Sequence, residues 1–391
     1  MTLFGRCYKT ENFIHESPIL GNTRDEKAVE VLDEFNCRTK IYAGAGAITK
    51  LGEFGAKRVF LVTDPYFYEN GTAQRIGKAT KAEQVEIFHD IKPDPAVELV
   101  AEMTGKLKAF GADMIVALGG GSAMDAAKAM AYFAKGNIRL VAIPTTSGSG
   151  SEVTDFAILT HNSIKHPLVD PSLRPWAAIL DSDLLGNLPP SLIADAGFDV
   201  IAHGVEALVA TGAGVFSDAL AREAVRSVVQ NLSASFAGDK SVRLTIHQAA
   251  TMAGMAFSQA GLGLCHAMAH SLGGMFHVPH GRLNAILLPS IVATNAHGAG
   301  AKYAELARFV GMGGSADAIA VRNLKNGLMR LRKELKLPET LAQAGVKPRE
   351  VRNAADAIVK ATLEDPCCKT NPVPVEGYLI RAILEEVTGH V

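Results

Sequence analysis

The feature that most constrains the fold is an alternation of short apolar runs with helical segments across residues 39–190. The runs include RVFLVTD, QVEIF, DMIVALGGG, RLVAIPTT and WAAILDSDL, and helical spacing follows several of them, as in AVELVAEMTGKLKAFG. Short continuous apolar runs are typical of parallel strands buried on both faces. Strands that alternate with helices indicate βαβ units. The pattern predicts a doubly wound, Rossmann-like α/β domain.

The pattern changes after Pro189 and Pro190. Short strand-like apolar runs no longer recur, and Ala-rich stretches with helical spacing follow at 191–208, 217–236 and 242–260. A chain of 391 residues exceeds one ordinary hydrophobic core. We therefore predict an N-terminal arm with a short amphipathic helix at 1–38, the α/β domain at 39–190, and an all-helical domain at 191–391.

Composition restricts the partners and the compartment. The formal net charge is −1, which provides no broad field for nucleic acid or an anionic membrane. No signal-peptide pattern opens the chain, and no apolar run approaches the roughly 20 residues of a membrane span. The five cysteines are an odd number, and the neighbours Cys367 and Cys368 do not readily form a relaxed disulfide. We expect a reduced, cytoplasmic protein with a small-molecule partner, not a nucleic acid or membrane partner.

A glycine turn lies between a predicted strand and a predicted helix. The strand DMIVAL is followed by Gly119, Gly120, Gly121 and Ser122, and then by the helical AMDAAKAMAYF. Glycines let the backbone approach a phosphate, and the free N–H groups of a helix N-terminus bind anions. The spacing differs from GxGxxG, and tight packing alone also explains such a turn. The turn is a candidate pyrophosphate site.

Two more polar segments lie at the carboxyl end of the predicted sheet. Asp64 closes the strand RVFLVTD, where a carboxylate binds a ribose diol and repels a 2′-phosphate. Helix capping is the alternative role for such an aspartate. The loop PTTSGSGSE, residues 144–152, follows the strand RLVAI. These segments predict a nicotinamide-dinucleotide site that prefers NAD(H) over NADP(H).

Histidines and one aspartate form a candidate metal site in the helical domain. Asp199 and His203 are four residues apart in a helical segment, so they project from one face. GLGLCHAMAHSLGGMFHVPHG then supplies His266, His270, His277 and His280. Single apolar-face histidines are more often core residues than ligands, but four within fifteen residues favour a metal. An imidazole and carboxylate set suits iron(II) or zinc. Spacing alone does not select the coordinating histidines.

Four motifs together resemble those of the iron-containing, or group III, alcohol dehydrogenases. They are GGGSAMDAAKA, PTTSGSGSEVT, the DVIAH segment and GLCHAMAHSLGGMFHVPHG, and the similarity runs from about Lys40 nearly to the C-terminus. Within the family, IKHPLVDPSLRPWAAILD and FSDALAREA are most similar to the propanol or ethanol dehydrogenases of bacterial microcompartments. One departure is Cys265, where near relatives carry a different polar residue; we interpret it as a small buried filler.

The resemblance implies a role for each matching residue. It implies that the metal ligands are Asp199, His203, His266 and His280, that His270 relays a proton beside the substrate, and that Phe257 lines the substrate pocket. The implied cofactor contacts are Gly119, Gly120, Gly121 and Ser122 at the pyrophosphate, Asp125, Thr145, Thr146 and Ser147 along the nicotinamide half, and Lys165 at the ribose. Cys367 and Cys368 receive no chemical role. We predict NAD(H) and one divalent metal, iron(II) before zinc, as cofactors.

The sequence thus predicts an NAD-dependent dehydrogenase that interconverts short primary alcohols and aldehydes, such as propanal with 1-propanol or acetaldehyde with ethanol. Aldehyde reduction by NADH is the expected direction. We expect a cytoplasmic homo-oligomer, a dimer in its simplest form, that works inside a bacterial microcompartment beside its shell or an aldehyde-producing enzyme. Two alternatives are an NAD- and metal-dependent lyase on the dehydroquinate-synthase scaffold and a non-catalytic microcompartment-associated protein. The lyase requires several basic residues near the histidines to hold an anionic substrate, and the sequence shows no such constellation there.

Overall fold

The structure, a computed structural model, describes residues 35–161 and 164–389. The residues from Phe35 onward form one compact unit. The predicted amphipathic helix between Asp25 and Phe35 lies outside the described residues except for Phe35 itself. The N-terminal arm therefore stays a prediction.

The eight described strands form one parallel sheet and one hairpin. The strands are β1 (Lys40–Ala43), β2 (Arg58–Val62), β3 (Gln84–Phe88), β4 (Met114–Gly119), β5 (Arg139–Pro144), β6 (Phe156–His161), β7 (Ile164–Val169) and β8 (Ala177–Leu180). The six-stranded sheet has the order β1-β8-β5-β4-β2-β3, and every pair in it is parallel. The order reverses between β2 and β4, which opens a crevice at their carboxyl ends, where such sheets bind ligands.

Helices cover both faces of the sheet, as the continuous apolar runs predict. They are α1 (Pro65–Glu69), α2 (Thr72–Ala79), α3 (Val97–Phe110) and α4 (Gly121–Ala134). Alternate residues of β2 enter different cores: Phe60 and Val62 pack with α3 and α4, whereas Val59 and Leu61 pack with α2. All six residues of β4 are buried. A strand buried on both faces is apolar throughout, which explains why the sequence predicts β4 correctly.

The antiparallel hairpin of β6 and β7 is absent from the sequence-based prediction. Its register pairs Phe156 with Val169 and Thr160 with Lys165. Buried and partly exposed positions alternate along β6, and β7 contains Lys165, His166 and Pro167. Neither strand therefore offers the continuous apolar run that identifies the sheet strands. The hairpin packs beside α4.

Eight helices of the described residues form the second part. They are α5 (Pro190–Val209), α6 (Val215–Phe236), α7 (Arg243–Ala260), α8 (Leu264–Phe276), α9 (His280–Phe309), α10 (Asp317–Glu334), α11 (Pro348–Glu364) and α12 (Gly377–Thr388). Helix α5 is buried on almost all sides, and a Cβ on its Gly204 would lie 2.5 Å from a methyl of Val225 on α6. The predicted fold class, an α/β part followed by a helical part, is confirmed. The domain boundary at 190/191 stays a prediction. None of the described helices combines the length and apolarity required to cross a membrane.

Candidate metal and cofactor site

The glycine turn joins β4 to α4 at the reversal point of the sheet. Gly119 has φ +150°, and a Cβ there would lie 2.8 Å from the Cβ of Ala123. Gly120 is the residue before α4, so the first N–H groups of this 14-residue helix are free of helical partners. The backbone from Gly120 to Ser122 is thus partly exposed at the positive end of a helix. This geometry suits the binding of a phosphate anion.

Asp64 lies beside this turn. One carboxylate oxygen, Oδ2, is 3.6 Å from where a Cβ of Gly119 would be, and the other accepts a hydrogen bond from the N–H of Phe67 at 3.2 Å. Burial raises the pKa of Asp64, although backbone donors oppose the shift. Asp64 thus caps α1 and also faces the predicted phosphate site. The capping and ribose-binding interpretations are compatible.

The loop 144–152 lies against the same turn, as predicted. The side-chain oxygen of Thr146 is 3.3 Å from where a Cβ of Gly120 would be. Thr145 is buried, and its N–H donates to the carbonyl of Gly119 at 3.0 Å. The Ser147 hydroxyl lies 2.9 Å from Nδ1 of His247 on α7. Thr146 is therefore the side chain of this loop closest to the glycine turn, while its two neighbours anchor the loop.

Asp125 and Lys165, the other predicted cofactor contacts, have protein partners. Asp125 accepts hydrogen bonds from the Ser151 hydroxyl at 3.0 Å and from the N–H of Ile158 at 3.1 Å. Burial raises the pKa of Asp125, against the effect of the nearby Lys128. Lys165 on β7 forms an ion pair with Asp94, with Nζ and Oδ1 2.7 Å apart. Asp125 thus joins α4 to Ser151 and to β6, and Lys165 joins β7 to the segment before α3.

Three of the four predicted metal ligands converge. Oδ1 of Asp199 lies 3.8 Å from Nε2 of His266 and 3.5 Å from Nε2 of His280. The ligand atoms of these residues all lie within 4.8 Å of one another. Helix α5 supplies Asp199, α8 supplies His266, and α9 begins at His280. Residues far apart in the chain thus meet because three helix segments cross at one place.

One amide nitrogen lies within hydrogen-bonding distance of all three ligand atoms. Nδ2 of Asn284 donates to Oδ1 of Asp199 at 2.8 Å and lies 3.3 Å from Nε2 of His266 and 3.2 Å from Nε2 of His280. Burial acts to lower the pKa of His266, but hydrogen bonds with Asp199 and Glu206 raise it to about 9. The two carboxylates Asp199 and Glu206 therefore favour positive charge at His266. A nitrogen and oxygen donor set of this kind fits iron(II) or zinc better than magnesium or calcium.

His203 borders the other ligands but does not join the three-atom group. Its ring stacks between Phe257 and His266, with centroids 4.4 and 4.5 Å away. Its Nδ1 is buried and has no hydrogen-bond partner among the described residues. Burial, with His266 and His270 adding to it, lowers the pKa of His203 to about 3. The imidazole is thus neutral, the form that binds metals.

His270 faces the cluster from the next turn of α8. Its ring stacks on His280 at 5.1 Å, and its Nδ1 lies 2.9 Å from Oδ2 of Asp365. Burial acts to raise the pKa of Asp365, but His270 and the N–H of Cys367 lower it overall. The structure thus places Cys367, which received no role, close to His270 and Asp365. Cys265 is fully buried, as expected of a filler, with Sγ 3.5 Å from Oδ1 of Asn284.

Sequence reasoning missed three residues of the site: Glu206, Asn284 and Asp365. Glu206 shares the α5 face of Asp199 and His203, and Asn284 is one turn after His280, so helical spacing contains a signal for both. Asp365 lies after α11, and no local pattern connects it to His270. Only the tertiary structure brings that pair together.

The loop 144–152 also connects the glycine turn with the helices of the metal cluster. A Cβ on Gly148 would lie 3.2 Å from the Cβ of Ala196, which is on α5 one turn before Asp199. A Cβ on Gly150 would lie 2.7 Å from the Cα of Gly254 on α7. The loop therefore links the glycine turn to α5, the helix that carries Asp199.

Comparison with known proteins agrees with this geometry. Residues 38–182 match the family model described as iron-containing alcohol dehydrogenase, and residues 193–388 match the C-terminal model of the same family. A 1-propanol dehydrogenase of Salmonella typhimurium is 39% identical over 91% of this chain and all of the relative. An NADPH-dependent butanol dehydrogenase of Clostridium saccharobutylicum is 35% identical over 90% of this chain and 97% of the relative.

A solved structure shows the same fold. The iron-containing alcohol dehydrogenase of Thermococcus thioreducens superposes with a TM-score of 0.85 at 32% identity, covering 90% of this chain and 99% of that one. The family models together span most of the sequence, and the relatives carry dehydrogenase names. These findings confirm the resemblance to propanol dehydrogenases and favour an oxidoreductase over the lyase and non-catalytic alternatives. The chain belongs to the iron-containing alcohol dehydrogenase family.

Proposed function

We propose that this alcohol dehydrogenase reduces short-chain aldehydes with NADH, and that Asp199, His203, His266 and His280 hold one divalent metal, iron(II) in preference to zinc. The observation that carries the proposal is the convergence of the ligand atoms of Asp199, His266 and His280 on the single amide of Asn284. The loop 144–152 also joins the glycine turn to α5, the helix that carries Asp199. When bound there, a divalent metal supplies Lewis-acid polarisation of the substrate oxygen.

His270 and Asp365 supply the proton in this proposal. The short contact between Nδ1 of His270 and the Asp365 carboxylate keeps a hydrogen on Nδ1, since an ionised carboxylate only accepts. Nε2 of His270 is then the atom that exchanges a proton with the substrate side of the cleft. Phe257, stacked on His203, excludes water from the buried side and forms the proposed pocket wall. Water exclusion strengthens the electrostatic interactions within the site.

The proposed cofactor is NAD(H). Residues 119–122 bind the pyrophosphate at the N-terminus of α4, Asp64 binds the adenosine ribose, and residues 145–147 with Asp125 and Lys165 border the nicotinamide half and its ribose. The argument for NADH is the position of the Asp64 carboxylate beside the turn. The named relatives include an NADPH-dependent enzyme, so cofactor choice depends on such local groups and not on the family alone.

Propanal is the proposed substrate, on the strength of the 1-propanol dehydrogenase relative. Acetaldehyde is the second substrate we expect, because one methylene in an apolar pocket changes binding by only about 1–3 kcal/mol. We further propose a cytoplasmic homodimer that works beside an aldehyde-producing enzyme inside a microcompartment. Co-sedimentation of the tagged protein with purified shells tests that location; recovery only in the supernatant would contradict it.

The decisive experiment is NADH oxidation by metal-free protein reloaded with iron(II) or zinc, with propanal or acetaldehyde as substrate. Turnover is expected only after metal addition. His266→Ala should abolish it, because His266 lies within the three-atom group. His297→Ala is the matched control, since His297 is an exposed histidine elsewhere on α9 and should retain activity. Absence of metal-dependent turnover with either aldehyde would refute the proposal.

A further inference from the structure

Glu206 is a buried carboxylate on the face of α5 that also carries Asp199 and His203. Its exposed fraction is 1%, and it follows His203 by three residues. Within the described part of the chain, no lysine or arginine forms an ion pair with it; its ion-pair partner is His266. Burying a carboxylate without a basic partner is costly unless strong hydrogen bonds replace the lost water. The hydrogen bonds of Glu206 must therefore compensate for the burial of its carboxylate.

Both oxygens of Glu206 are directed at the first turn of α8. Oε1 accepts from the N–H of Cys265 at 2.6 Å, and Oε2 accepts from the N–H of His266 at 3.3 Å. Gly263, the residue before α8, provides no side-chain cap, and a Cβ there would lie 2.8 Å from Oε1. Glu206 thus caps α8 from a different helix. A glycine at 263 leaves the space that this carboxylate needs.

The third hydrogen bond goes beyond capping. Oε2 of Glu206 lies 2.6 Å from Nδ1 of His266. An ionised carboxylate only accepts, so the hydrogen of this bond belongs to Nδ1. In the neutral form that binds a metal, the lone pair is then on Nε2, the atom that faces Asp199 and the Asn284 amide. The same contact fixes the rotation of the ring about its Cβ–Cγ bond.

We infer that Glu206 is a positioning residue that fixes the tautomer and the orientation of His266, so that Nε2 is presented to the divalent metal. This inference rests on the metal site of the proposed function. Hydrogen bonds from a ligating imidazole to a carboxylate raise the basicity of the ligand, and their loss typically reduces metal affinity 10-fold to 100-fold. A helix cap without this role would affect stability alone.

Glu206→Gln separates these two roles. The amide is isosteric and still has one accepting oxygen, but its NH₂ group must face either the Cys265 N–H or the His266 ring. Metal-free protein is titrated with cobalt(II), and the visible absorption of the bound ion gives both the affinity and the ligand geometry. We expect an affinity roughly 10-fold to 100-fold weaker than that of the wild type and altered cobalt bands.

Asp181→Asn is the matched control. Asp181 is a fully buried carboxylate that accepts from the backbone N–H groups of Gly46, Ile48 and Asp183, and it lies outside the cluster of the metal ligands. This variant should lose stability to heat or urea while keeping the wild-type cobalt affinity and spectrum. Glu206→Asp is the second variant if Glu206→Gln does not fold. It keeps the charge but withdraws it by one methylene, so its cobalt affinity should also fall.

The outcomes distinguish the inference from the proposal on which it rests. If the wild type binds cobalt in a manner that His266→Ala weakens, while Glu206→Gln matches the wild type in affinity and spectrum, then Glu206 is only a helix cap and the inference is wrong. If His266→Ala binds cobalt as the wild type does, the proposed metal site is wrong, whatever the result for Glu206→Gln. Weaker binding and altered bands in Glu206→Gln alone, with Asp181→Asn unchanged, would support the inference.

Discussion

Replacing Asp64 should shift the preference of the enzyme from NADH toward NADPH. The carboxylate lies 3.6 Å from where a Cβ of Gly119 would be, so it faces the proposed pyrophosphate turn at the end of β2. A 2′-phosphate on the adenosine ribose would add negative charge near that carboxylate. Asp64→Gly removes both the charge and the side chain, and it leaves room for the phosphate.

The size of the effect follows from two contributions. Two unit charges about 4 Å apart repel by about 1 kcal/mol in water and about 4 kcal/mol near a protein surface, which is roughly 5-fold to 1,000-fold in affinity. Losing a charged hydrogen bond to the ribose costs NADH about 1.5–3 kcal/mol, or roughly 10-fold to 100-fold. The ratio of kcat/KM for NADPH to kcat/KM for NADH should therefore rise by at least about 50-fold in Asp64→Gly.

Asp64→Asn controls for the capping role of the side chain. Asp64 accepts from the N–H of Phe67, and asparagine caps helices about as well as aspartate. This variant should keep its thermal stability and lose only the charge, so its NADPH activity should rise while NADH activity falls less than in the glycine variant. Both ratios come from initial rates of propanal reduction with each coenzyme. A ratio within about threefold of the wild type in both variants would mean that Asp64 is a helix cap and does not face the ribose.

Three further predictions concern packing, pH and proton transfer. Gly254→Ala places a Cβ 2.7 Å from the carbonyl oxygen of Gly150, so urea unfolding should show a loss of about 1–3 kcal/mol; wild-type stability would mean that the backbone adapts freely. Burial lowers the pKa of His247 from 6.5 to about 4, so its neutral form contributes stability that is present above pH 6.5 and lost as pH falls through about 4. His247→Gln should flatten urea stability across that window, and an unchanged slope would contradict the assignment. Asp365→Asn should lower kcat roughly 10-fold to 100-fold at unchanged metal content, because the charged acceptor at Nδ1 of His270 becomes a weaker, neutral amide; an unchanged kcat would remove His270 from proton transfer.

The elements that the sequence predicts well are those in which local chemistry and tertiary environment agree. β4 is buried along its whole length and reads as a continuous apolar run, and α5 combines helical spacing with burial on nearly every side. The hairpin of β6 and β7 lacks such agreement. It is half exposed, and Lys165 within it is fixed by an ion pair with Asp94 and not by an apolar face. Its existence depends on contacts with α4 that no local pattern encodes.

The site shows the same division between local and distant information. Asp199 and His203 are one turn apart, so one helix is enough to predict that they face the same way. The partner of His266 is 60 positions away at Glu206, and the partner of His270 is 95 positions away at Asp365. Helical spacing places Glu206 on the face of Asp199 and His203 but does not identify His266 as its partner, and no local pattern marks Asp365. The hydrogen bonds that orient these histidine rings can therefore be identified only from the tertiary structure.

The small residues of the loop 144–152 allow the edge of the sheet to pack closely against helices of the second part. Gly148 lies against Ala196 on α5, and Gly150, with φ +62°, lies against Gly254 on α7. A side chain at either glycine would move the loop away from the helices, and with it the turn that the cofactor is proposed to use. Hydride transfer requires the reacting atoms about 3–3.5 Å apart, so a displacement of even 1 Å would reduce the rate. Gly148 and Gly150 thus allow the close packing of the loop on α5 and α7 that the proposed hydride transfer depends on.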